Sequence, residues 1–176
     1  MPRNRLSPEK WIDAGLDALA ASGPAALAAE PLARRLGTTK GSFYWHFKDV
    51  PAFQSALIDT WRTRAVSSLA QAVAGSDSPD QRLRTLGRKV LQDRQEAALR
   101  IWALSSKDVA GMLSELDTER VTYISLLLRE LGLGNRDFAV AMQATLAGLP
   151  HLPATKTQAQ LAVFDTLVDT VLALSE

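Results

Sequence analysis

Residues 28–48 read Ala28-Ala29-Glu30-Pro31-Leu32-Ala33-Arg34-Arg35-Leu36-Gly37-Thr38-Thr39-Lys40-Gly41-Ser42-Phe43-Tyr44-Trp45-His46-Phe47-Lys48. A short helix is expected over about 28–36, with Leu32 and Leu36 turned inward and Gly37 ending it. Pro31 is tolerable because it falls in the first turn. Thr39 can then cap a second helix from Lys40 to about Phe47. A helix, a short turn containing glycine and a second short helix make the shape of a helix-turn-helix.

Turning the 40–47 segment at ~100° per residue puts Phe43 and Phe47 on one side, where they should pack against the preceding helices. Gly41, Ser42 and Trp45 fall on the opposite side, with Lys40, Tyr44 and His46 at the edges. An outward tryptophan needs something to cover it, and a DNA groove is one such cover. The amide-tipped start of this helix favours a phosphate, and the next helix begins just after Lys48, a second such end beside a cation. Tyr44 can hydrogen-bond a phosphate oxygen, and Gly41 lets the backbone approach closely. Ser42, Trp45 and His46 are better placed for base edges.

Working outward, Ser7-Pro8 opens a first helix with a good N-cap and a proline at its first position. Leu6 can staple onto Trp11, Ile12, Leu16 and Leu19 form an apolar stripe, and Gly23-Pro24 ends the helix. A long helix is expected from Lys48-Asp49 to about Ala74, with Phe53, Leu57, Trp61, Ala65 and Leu69 recurring every four residues. Further helices are expected over about 79–93, 95–105, 107–131, 135–149 and 157–174, with Pro150–Pro153 a turn that includes His151. The fold class is therefore all-α, about nine helices: a three-helix DNA-binding unit over 1–50 and a helical bundle over 51–176.

The 176 residues are 47% apolar and 22% charged, ordinary values for a globular chain. The absence of cysteine excludes a disulfide framework and a thiolate site, and two histidines are too few for a multi-histidine metal site. No apolar run approaches a bilayer span, and Met1–Arg5 lacks the apolar stretch of a secretory signal, so a soluble, cytoplasmic protein is expected. Net charge is +1, and it is unevenly placed: residues 1–50 carry seven Lys/Arg against five Asp/Glu, the rest 13 against 14. There is no glycine-rich phosphate loop, no G-x-S-x-G and no H-E-x-x-H, so no catalytic residue, metal or cofactor is expected.

The run Leu32 to Lys48 resembles the signature of the TetR family of bacterial transcriptional regulators. It shows the apolar-Ala pair, the glycine, the Thr39-Lys40-Gly41-Ser42 run, Tyr44, and the closing Phe47-Lys48. Ala28 and Pro31 depart from the family's usual start of the 28–36 helix, Thr38 replaces the usual valine, and Phe43 replaces a smaller aliphatic residue. The resemblance implies that Thr39 caps the recognition helix, that Lys40, Tyr44 and Lys48 contact phosphates, and that Gly41, Ser42, Trp45 and His46 face the major groove. It implies a homodimer on a palindromic operator, most simply a repressor, with an effector pocket among the C-terminal helices.

The sequence agrees in part. The 135–149 helix has Phe138, Met142, Leu146 and Leu149 on one side and a Val140, Ala144, Gly148 strip on another. The last helix is apolar on two sides (Leu161, Phe164, Val168, Val171; then Val163, Leu167, Thr170, Leu174), so it needs two partners, one of which can be a second subunit. Trp61, Trp102, Met112, Tyr123 and Met142 are candidates for the wall of an apolar pocket, though plain core positions carry the same residues. No buried cluster of acids or bases is evident from the spacing, so a small hydrophobic or aromatic effector is expected. Arg3 and Arg5 fit either a minor-groove arm or a solvated tail, whereas Arg34 and Arg35 read as solvated or paired with acids. A helical adaptor explains the amphipathic helices but not Trp45, and a small enzyme has no motif to support it.

Overall fold

The computed structural model describes residues 6–73, 75–152 and 156–174. Arg3 and Arg5 lie outside them, as does Pro153. The described residues hold nine α-helices and no strand: α1 Pro8–Ser22, α2 Ala29–Arg35, α3 Lys40–Tyr44, α4 Val50–Val73, α5 Pro79–Gln92, α6 Arg94–Ala103, α7 Lys107–Glu130, α8 Arg136–Gly148 and α9 Thr157–Ala173. Each longer helix begins and ends within one or two residues of the sequence expectation. A 3-10 turn, Pro24–Ala26, follows α1 where the sequence shows only the end of the helix, and another, Leu149–His151, follows α8.

The helix ends show why the boundaries are so legible. Asp93 caps α6 by accepting the N–H groups of Gln95 and Glu96, Ser106 caps α7 through Val109, and Asn135 caps α8 through Asp137. α7 stops at Gly132, after which Leu133 donates back to the Leu128 carbonyl at 2.8 Å.

Two hydrophobic clusters hold the molecule together. The first gathers Trp11, Leu16, Leu27, Leu32, Phe43, Phe53, Leu57, Trp61, Leu99, Trp102 and Leu116 from α1 through α4, α6 and the start of α7. It crosses position 50, so the proposed 1–50 and 51–176 units are distinguished by topology and not by separate cores. The second gathers Leu83, Leu86, Ile124, Leu127, Met142, Leu146, Phe164 and Val168 from α5, α7, α8 and α9. α4 and α7 take part in both. α6 packs on α1 as well as on α7, which places it between the N-terminal helices and the bundle.

Close helix approach is bought by glycine at two crossings. A Cβ at Gly15 of α1 would lie 2.6 Å from the Phe53 ring of α4. A Cβ at Gly87 of α5 would lie 2.3 Å from the Phe164 ring of α9. Among the described residues no helix is long and apolar enough to cross a membrane.

Candidate nucleic-acid interface

The turn between α2 and α3 is set by Gly37, whose φ of +62° lies in the left-handed region that side chains disfavour. Two bonds close the α2 terminus: Thr38 N–H to the Ala33 carbonyl at 2.9 Å, and Gly37 N–H to the Arg34 carbonyl at 3.2 Å. This is a Schellman ending, and it aims the chain into α3. Thr39 takes the extended N-cap conformation, but its hydroxyl makes no capping bond, and Ser42 N–H reaches the Thr39 carbonyl instead.

α3 is shorter than expected, five residues instead of eight. Its path still turns helically to Phe47, because His46 and Phe47 both donate to the Phe43 carbonyl. Packing anchors this segment from beneath. Phe43, fully buried, meets Trp11, Phe47 and Phe53 at ring separations of 5.2–5.4 Å, and Phe47 meets Phe53 at 4.9 Å. The large ring in place of a smaller aliphatic residue thus anchors the recognition segment through an aromatic cluster.

The opposite side is laid out as the rotation argument expected. Trp45 is 81% exposed and Tyr44 46% exposed. Thr39, Lys40, Gly41 and Lys48 are exposed, and Ser42 and His46 are half-buried. Lys40 Nζ stands 6.0 Å from the Tyr44 ring centre. A Cβ on Gly41 would meet only Thr39 Oγ1 at 3.8 Å, so nothing within the chain requires glycine there.

The start of α4 differs from the expectation of a free, phosphate-seeking helix end. Asp49 Oδ1 accepts the Ala52 N–H at 2.8 Å, and Pro51 has no N–H to offer. A carboxylate already sits where a phosphate would. What remains at this end is the exposed Lys48 ammonium.

The five pocket candidates are not brought together. Trp61, Trp102 and Met112 belong to the first hydrophobic cluster, Tyr123 and Met142 to the second. Trp61 lines a cavity of about 140 Å³ between α4, α5, α6 and α7. Trp102 and Met112 border a separate, open cleft of about 470 Å³. Tyr123 donates its hydroxyl to the Ala72 carbonyl at 2.9 Å, a tie between α7 and α4.

The expectation that no acids and bases cluster inside is overturned. Glu96, 2% exposed, receives two bonds from Arg120 at 2.6 and 2.7 Å and two from Arg100 at 2.7 and 3.1 Å. Arg100 also reaches both oxygens of Asp117, to which Gln143 of α8 donates at 2.7 Å. Burial pushes the Glu96 carboxyl up, but the bonds and charges of Arg120 and Arg100 outweigh it and hold it below its ordinary value. Asp93, beside the cavity, accepts the Trp61 indole N–H at 3.2 Å. Burial dominates there and raises its carboxyl. The signal for this network was present in the sequence: Glu96 and Arg120 each interrupt an apolar stripe (Leu99 and Trp102; Leu113, Leu116, Ile124 and Leu127). The partners sit 24 residues apart, so spacing alone could not pair them.

Residues 12–49 match the family model described as bacterial regulatory proteins, tetR family. Among curated proteins, none matches the chain in sequence. Solved structures share the fold over nearly the whole chain. A transcriptional regulator from Rhodococcus sp. Rha1 superimposes with a TM-score of 0.77 at 22% identity, covering 96% of this chain and 97% of that one. A TetR-like transcriptional regulator from Rhodococcus sp. RHA1 gives 0.71 at 18% identity, covering 98% of each. SmeT, the repressor of the Stenotrophomonas maltophilia multidrug efflux pump SmeDEF, gives 0.67 at 20% identity, covering 97% of this chain and 90% of that one.

Proposed function

We propose, for a chain that belongs to the TetR family of bacterial regulatory proteins, that it is a homodimeric repressor released from a palindromic operator by a small effector. The observation that carries the DNA-binding part is Trp45, 81% exposed on the side of α3 opposite the buried Phe43. A large indole held outward by an aromatic anchor beneath it suits insertion into a major groove. Gly41, Ser42, Trp45 and His46 are assigned to base edges. Lys40, Tyr44, Lys48 and the uncapped Thr39 hydroxyl are assigned to phosphates.

The dimer is assigned to α8 and α9. The strip Val140, Ala144 and Gly148 is exposed, and so is the second α9 face with Val163 and Leu174. The effector is assigned to the cavity of about 140 Å³ walled by Trp61, room for a single aromatic ring. Its position between α4 and α6 supports a release mechanism, since both helices also pack against the N-terminal cluster. Half-sites of an operator lie about 34–36 Å apart, so a small change in the spacing of the two recognition helices loses one set of contacts.

Selection of bound sequences from a random pool of double-stranded DNA tests the reading. Enrichment of a palindrome is expected. An unenriched pool at low ionic strength would overturn DNA recognition and favour a helical adaptor. An operator affinity unmoved by a panel of single-ring compounds would remove the effector and leave a constitutive regulator.

A further inference from the structure

A crevice of about 800 Å³ runs along the seam between the N-terminal helices and the bundle. Its walls come from both sides: Asp17 on α1 and Arg35 on α2, then Ser68 on α4, Lys89 on α5, and Asp93 and Arg94 at the start of α6. The volume falls within the range of small-molecule sites.

Several cations of the bundle, Arg88, Arg129 and Arg136 among them, form no ion pair among the described residues; along this crevice three such cations share one concavity. Arg62, Arg64, Arg82, Arg84, Arg100 and Arg120 each hold a carboxylate. Arg35, Lys89 and Arg94 form no ion pair among the described residues. Of the two acids present, Asp93 is engaged: one oxygen accepts the N–H groups of Gln95 and Glu96, the other the Trp61 indole. Asp17 is the second carboxylate on the crevice. Three cations from three helices line this one concavity beside two acids, Asp17 and Asp93, and cations carried on separate helices suit an anion with more than one charged group.

We propose that this crevice binds a small molecule carrying two or more phosphate groups, which bridges Arg35 of the N-terminal unit to Lys89 and Arg94 of the bundle. Binding there ties α2, the first helix of the helix-turn-helix, to the α5–α6 corner, and so biases the orientation of α3. That regulatory consequence rests on the DNA-binding reading, whereas the site itself does not.

The probe is inorganic pyrophosphate, titrated calorimetrically into the full chain without DNA. Saturable binding of one pyrophosphate per chain is expected. Arg35→Gln and Arg94→Gln should each weaken it roughly tenfold, the loss of one charge-assisted contact. Lys40→Gln, at the candidate DNA surface, should leave it unchanged, and unfolding curves confirm that each variant is folded. Three results overturn the proposal: no saturable binding up to roughly 10 mM, equal weakening by Lys40→Gln, or loss of binding to random DNA in Arg35→Gln as large as in Lys48→Gln. The last would assign these cations to the DNA track. Because pyrophosphate binding is read without DNA, an unenriched DNA selection would sink the regulator and leave this site standing.

Discussion

At Gly41 the demands of folding and of the proposed DNA contact come apart. A methyl group there meets only Thr39 Oγ1 at 3.8 Å, so Gly41→Ala should leave the unfolding midpoint unchanged or slightly raised, by reducing the freedom of the unfolded chain. If the α3 backbone lies against DNA, the same methyl should cut affinity for the selected operator at least tenfold, measured by fluorescence anisotropy. An alanine variant that binds as well as the parent would remove Gly41 from the interface. Trp45→Ala should shift base preference at one position per half-site by about 1–3 kcal/mol, with little change on random DNA. Glu96 is the inverse case, a residue whose partners are all internal. Glu96→Gln leaves Arg120 and Arg100 short of a carboxylate inside the protein and should cost about 3 kcal/mol in denaturant unfolding. Its carboxyl is held below the ordinary 4.5, so the stability it adds is present above that pH and is lost as pH falls through the lowered value. The raised carboxyl of Asp93 works with the opposite sign, and its main cause, burial, remains in both proteins. The stability gap between parent and Glu96→Gln should therefore narrow on acidification below about 4.5. A gap that stays constant would mean Glu96 is not ionised in the native protein.

Helices meet closely where a side chain is missing. On α5, Gly87 admits the Phe164 ring of α9 to within 2.3 Å of where a Cβ would be. Gly87→Ala must push the two helices apart or turn the ring, and should cost about 1–3 kcal/mol, read as a fall of a few degrees in the melting midpoint. Phe164→Leu in the same background should recover part of the loss. Failure of the smaller residue to rescue would show that the cost lies elsewhere. This contact also marks the limit of reading elements from sequence. The helices themselves were legible, since Ser78-Pro79, Asn135 and Gly132 are local signals acting within one turn. The helix-turn-helix was legible too, because Gly37, Phe43 and Phe47 fix its turn and buried side over twenty residues. Gly87 carries no local signal of its role, and nothing near it announces Phe164, 77 residues on. Glu96 and Arg120 likewise lie 24 residues apart in sequence and meet only in the fold. The pocket candidates are not drawn together for the complementary reason: Trp61 and Met142 are both large apolar side chains but lie in different clusters. Residue type does not say which side of α7 a neighbour occupies.

Assembly follows from what the monomer leaves uncovered. α9 buries Phe164, Val168 and Val171 against the bundle, yet Val163 is 49% and Leu174 60% exposed on its other side. Val140 on α8 is 46% exposed beside the small residues Ala144 and Gly148. In the proposed dimer a second copy bearing the same surface covers both strips under two-fold symmetry, where each patch meets its own image. A stable pair of this kind covers roughly 1,600 Å² in all, and aspartate at its centre should break it, since a charge buried without a partner costs several kcal/mol. Val163→Asp should therefore sediment as a monomer at micromolar concentration where the parent sediments as a dimer. Because Val163 touches solvent in the single chain, the helical content should not change. The consequence for DNA is separable from folding. Two linked half-site contacts gain by effective concentration, so the monomeric variant should lose 10²–10⁴-fold on the palindrome. Its affinity for an isolated half-site should match that of the parent. A Val163→Asp protein that remains dimeric would move the interface off α9. A monomer that still holds the palindrome as tightly as the parent would mean that the operator is read one chain at a time.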